Sequence, residues 1–95
     1  MLLHTLGTAS NAEAVDDCLR IIREHDALLL LDDGVYLAQQ HPSKLAALDD
    51  TGVSIFALRH DCEARGVVAG DAVKLIDMDD FVALTERCEQ HMDWS

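Results

Sequence analysis

Residues 27–31 read "ALLLL", an unbroken apolar run of strand length that stops at Asp32, Asp33 and Gly34. A strand with one face in water alternates apolar and polar side chains. A strand that is apolar throughout is covered on both faces, as in a parallel sheet with helices above and below. "VSIFAL" at 53–58 reads as a second buried strand, and "LLHTL" and "VKLI" supply two more. Between "LLHTL" and "ALLLL", residues 12–24 place Val15, Cys18, Leu19 and Ile22 at helical spacing, with Ser10 or Asn11 as the cap and Asp16, Asp17, Arg20 and Arg23 largely on the other side. Cys18 therefore faces inward. "VYLAQQ" is interrupted at His41-Pro42, so two short helical pieces are expected, the second capped by Ser43 and running through Leu48. Asp61 can cap a short helix that stops at Gly66. A last helix starts at Asp77 or Asp79 and sets Phe81, Leu84, Thr85, Cys88 and Met92 on one face before the terminal "DWS".

The order β-α-β-α-β-α-β-α with short connections predicts an α/β fold: three layers, a mostly parallel sheet of four to five strands, and helices on both faces. Its 95 residues make one domain, 1–95. Only 4% of the residues are aromatic, so a core of Leu, Val, Ile and Ala is filled with few large side chains, and some apolar surface is expected to meet partner subunits. Seven basic residues against eighteen acidic ones give a net charge of −11, which repels a phosphate backbone and argues against direct nucleic-acid binding. "MLLHTLGTAS" lacks a basic leader, and no stretch approaches the ~20 apolar residues of a membrane span, so a cytoplasmic protein without membrane contact is expected. The three cysteines form no CxxC pair and no metal-ligand spacing with the five histidines. They read as reduced thiols, with no metal and no cofactor expected.

In such folds chemistry gathers at the carboxyl ends of the strands. "LGTASN" has one glycine before a helix start, too little for a dinucleotide or phosphate loop. Asp32 and Asp33 suggest a Mg²⁺ site of a small acidic binding module, but adjacent strand residues point to opposite faces, and a solvated helix cap is the plainer reading. His60, Asp61 and Cys62 are consecutive, whereas triad members come from separate elements. Cys62 does lie in the first turn of a predicted helix beside Arg59 and Arg65, a setting that lowers a thiol pKa. Cys18, preceded by two aspartates, gets no such local help. Cys88, on the apolar face of the last helix, reads as inert core. His4, inside a strand, is the histidine expected to be buried with its hydrogen bonds satisfied.

"LHT" in the first strand, "LLLLDDGVY" at the second, "ARG" after the third, "IDMDDFVALTERC" through the last helix and Trp94, in this order and spacing, resemble the TusB/DsrH family of sulfur-relay subunits, within the DsrEFH-like superfamily. The resemblance runs from Leu3 to Trp94. It implies the α/β fold of the sister subunits and assembly with them into a dimer of heterotrimers that passes persulfide sulfur along. The sulfur goes toward 2-thiouridine at the tRNA wobble position or, alternatively, within dissimilatory sulfur oxidation. Cys18 falls where DsrH-type members carry a cysteine and some TusB-type members carry none, which makes it a candidate persulfide carrier and equally a packing residue. Cys62 is a weaker candidate. The family's principal persulfide cysteine belongs to a sister subunit, at the end of its third strand just before an Arg-Gly pair. The corresponding "ALRHDCEARG" has no cysteine around Leu58 and Arg59. The resemblance thus implies a non-catalytic or accessory subunit.

Overall fold

The computed structural model describes residues 1–94; Ser95, the end of "DWS", lies outside the described residues. Five strands form one sheet in the order β4-β3-β2-β1-β5, every neighbouring pair parallel. The strands are β1 (Leu2–Leu6), β2 (Ala27–Leu30), β3 (Ser54–Leu58), β4 (Lys74–Ile76) and β5 (Gln90–Asp93). The helices are α1 (Ala12–Ile21), α2 (Leu37–Gln40), α3 (Pro42–Asp50), α4 (Arg59–Arg65) and α5 (Met78–Arg87), with a 3-10 turn at Asp32–Tyr36.

All four residues of β2 are buried, and their alternation feeds two cores. Leu28 and Leu30 join Val15, Cys18, Leu45 and Cys62 on the face covered by α1 to α4. Ala27 and Leu29 join Leu3, Leu58, Ile76 and Leu84 on the other face, where α5 lies. The layering is uneven: α5 is the one helix among the described residues that packs into this second core.

Local chemistry sets the element ends. Asn11 caps α1, its Oδ1 accepting the Ala14 N–H at 3.2 Å. The helix stops at Ile21, short of the expected Glu24, because Ile22 turns extended. Pro42 takes the first turn of α3, where its missing N–H costs nothing, with His41 and not Ser43 at the cap position. Gly66, at φ 66°, supplies the left-handed residue that ends α4. Gly34 has a different necessity: a Cβ there would overlap the Leu6 carbonyl oxygen, so only glycine lets the turn after β2 press against the end of β1.

Three expectations about the chain beyond Leu58 are corrected. The last helix ends at Arg87 and does not reach Met92; Gln90–Asp93 pairs with β1 as a fifth strand, Met92 opposite His4. Cys88, expected in the apolar core, is half-buried at the end of α5. The fourth helix starts two residues before the expected Asp61 cap, at Arg59.

Candidate functional site

Strand β1, between β2 and β5, carries the one buried histidine among the described residues. His4 is 0% exposed. Its Nδ1 accepts the indole N–H of Trp94 at 3.1 Å, and since an indole only donates, the imidazole proton sits on Nε2. Nε2 donates to Asp26 Oδ2 at 3.1 Å. Asp26, in the turn before β2, also accepts the backbone N–H groups of Leu2 (3.2 Å) and Arg23 (3.1 Å). Burial alone would raise the Asp26 pKa. The hydrogen bonds from His4, Arg23 and Leu2 and the attraction of His4 outweigh it and hold the carboxyl below its usual range. The Trp94 and His4 rings lie nearly parallel, 18° apart in plane with centroids 6.3 Å apart. On the opposite face of β1, Thr5 Oγ1 bonds Asp93 Oδ1 (3.2 Å) and His91 Nε2 (3.1 Å). Enclosed in this way, His4 ties β1, the β2 entry and the chain end together and has no face open to a substrate.

Sequence reasoning expected His4 to be buried and satisfied, but it did not name Asp26 or connect Trp94 to it. The available signal was Asp26 itself, an acidic residue directly before an all-apolar strand.

The three thiols are dispersed and share no site. Cys18 faces inward as the periodicity required and is fully buried; desolvation pushes its pKa up to about 12. The environment expected for Cys62 is not the one found. With α4 starting at Arg59, Cys62 turns into the core at 1% exposure, where burial, then Asp61, raises its pKa and Arg65 opposes only in part. Cys88 is also raised, chiefly by burial. A thiol in such surroundings is a poor nucleophile until something opens it.

At the carboxyl ends of β2, β3 and β4 lies a cleft of about 450 Å³. Two ion-pair groups frame it. Arg65 Nε bonds Asp33 Oδ1 at 3.0 Å, which, with the Asp33 and Asp61 charges and against some desolvation, raises the arginine pKa; Arg59 Nε bonds Asp77 Oδ1 at 3.2 Å. Asp61 Oδ2 accepts the backbone N–H of Asp32 at 2.8 Å and so holds that residue in its left-handed conformation, φ 47°. Asp33 is thereby an arginine partner. Among the described residues no three His, Cys, Asp or Glu side chains converge as metal ligands. His60 lines the cleft while Cys62 points into the core, so the consecutive triad-like residues do not meet.

An all-parallel sheet whose carboxyl edge carries carboxylates and arginines but no thiol at Leu58 or Arg59 defines a small α/β fold without an exposed cysteine nucleophile there. Comparison with known proteins places it further. The family model described as DsrH like protein matches residues 8–91, and the chain belongs to that family. It is 38% identical to Protein TusB of Salmonella dublin over 98% of this chain and the whole of that relative, and 37% identical to Protein TusB of Salmonella arizonae over the same shares. Among solved structures, the ychN protein from E. coli superposes with a TM-score of 0.72 at 15% identity, covering 97% of this chain and 96% of that one. A conserved protein of unknown function from Bacteroides thetaiotaomicron gives 0.68 at 18% identity, over 97% and 93%. These likenesses bear out the expected fold.

Proposed function

We propose that this chain is a non-catalytic subunit of a cytoplasmic sulfur-relay complex, assembled with sister α/β subunits in a dimer of heterotrimers and serving 2-thiolation of the tRNA wobble uridine. The observation that carries the reading is the near-full-length 38% identity to TusB. The geometry supports the non-catalytic part. A persulfide carrier needs a thiolate that donor and acceptor can reach, and here Cys18 and Cys62 are buried with raised pKa values, while the end of β3 has no cysteine. Cys18 is then a packing residue unless the assembled complex uncovers it, and Cys62 is the same. The net charge of −11 leaves the tRNA to a separate enzyme. No described helix is long and apolar enough to cross a membrane.

Dissimilatory sulfur oxidation is the second reading. It is favoured by Cys18, which the family resemblance puts where DsrH-type members carry a cysteine. The test has two parts. Native co-purification should recover two similar-sized α/β subunits, and tRNA from cells lacking the chain should lose 2-thiouridine. A clean monomer with unchanged thiouridine would overturn the proposal. Unchanged thiouridine with lost sulfur oxidation would select the second reading.

A further inference from the structure

The face of the sheet covered by α5 alone is where the fold is least closed. Beside the amino-terminal half of α5, the cleft at the strand ends has an apolar lining of Leu31, Leu58, Ile76, Met78 and Phe81. The apolar surface continues outward, since Met78 is 59% exposed and Val82, one turn along α5, is 51% exposed. Two large aliphatic side chains on one helical turn beside an apolar cleft form a contiguous patch, unlike scattered exposed hydrophobics. The charges around it have one sign in excess. Asp32, Asp33, Asp61, Asp77, Asp79 and Asp80 cluster at this end of the sheet, against Arg59 and Arg65. After those two arginines have taken their partners, the mouth remains net negative.

We infer that this cleft and the Met78–Val82 face of α5 form the docking surface for a partner protein that inserts an apolar side chain bracketed by lysine or arginine. The inference rests on the relay-subunit reading and gives that reading a surface. A second copy of this chain does not suit the site, because it would bring the same excess of carboxylates against itself. A small organic cation would satisfy the rim but leave Met78 and Val82 in water. A partner with a basic-rimmed apolar plug matches both features: the plug removes the aliphatic surface from solvent, and its cations answer the unbalanced carboxylates.

The test uses the full chain co-expressed with its two sister subunits. Met78→Glu changes an exposed side chain, so the variant should melt as the parent does, yet it puts a carboxylate in the centre of the contact. Association should weaken by about 10- to 100-fold, and binding by the parent should slow as salt is raised. Val68→Glu is the control, since Val68 is 86% exposed in the segment between α4 and β4 and outside the cleft; it should assemble normally. Normal assembly of Met78→Glu would overturn the docking surface and leave the relay reading standing. A homodimer of the isolated chain that Met78→Glu dissolves would overturn the stated occupant. A parent chain that assembles with neither sister subunit would overturn the relay reading itself, and the docking partner with it.

Discussion

Replacing His4 by leucine should be among the most damaging conservative-volume changes in this chain. The imidazole is fully enclosed and makes two hydrogen bonds, one to the Asp26 carboxylate and one from the Trp94 indole, each 3.1 Å. Loss of a bond to a charged group costs about 1.5–3 kcal/mol and of a neutral one about 0.5–1.5 kcal/mol, while the leucine returns about 1 kcal/mol in apolar burial. The net is about 1–3.5 kcal/mol, which for a domain of this size lowers Tm by about 4–28 °C. Trp94→Phe removes only the neutral bond and should cost clearly less. The double variant should cost less than the sum, because both singles break the same bond. Thermal and urea denaturation of the four proteins at neutral pH measure this. A His4→Leu shift of under about 2 °C, or strict additivity with Trp94→Phe, would refute the idea that His4 couples Asp26 to the chain end.

Asp26 gives the same cluster an acid limit. Its folded pKa lies below its unfolded value, so its stabilising contribution is complete above the unfolded value and is lost as pH falls through the folded one. Asp26→Asn should flatten the acid limb of stability against pH; an unchanged limb would contradict the assignment. Native-state alkylation followed by mass spectrometry should label half-buried Cys88 first and leave Cys18 and Cys62 largely untouched until denaturant is added. Rapid native labelling of Cys18 would show that its enclosure is not maintained in solution. Gly34→Ala should cost about 3 kcal/mol or more, since the new methyl meets backbone at Leu6 and no side chain can swing aside. A stable, soluble Gly34→Ala chain would disprove that close approach. Filter binding should find no measurable affinity for bare tRNA at physiological salt, and submicromolar binding would contradict the charge reasoning.

The parts of this fold that were legible are those where burial writes itself into side-chain type. β2 is apolar at each position because it is covered on both faces, and α1 shows a clear helical stripe because one side packs and the other meets water. β5 was illegible for the opposite reason. All four of its residues are exposed, so "QHMD" carries no alternation, and Met92 fell at helical spacing from Cys88. Its pairing is enforced from outside, by the free edge of β1, the Thr5 hydroxyl and the Trp94 anchor. The error at Cys62 was one of helix register. Taking Asp61 as the cap put the thiol in the first turn near cations, whereas the actual start at Arg59 rotates it into the core. The candidate cleft was placed on the right edge by the topology rule, but its apolar walls come from Leu31, Leu58, Ile76, Met78 and Phe81, residues that no short motif joins.

The placement of β5 beside β1 has a consequence for how the protein is made. β1 pairs on one side with β2, as soon as residues 27–30 follow, and on its other side only with residues 90–93, which are made after the other four strands. Until those residues are made, β1 presents a bare row of backbone donors and acceptors next to a histidine still waiting for its indole. An unfinished edge of this kind invites pairing with other nascent chains. Truncation before Gln90 should thus be read out as aggregation during synthesis, well before any loss of activity could be scored.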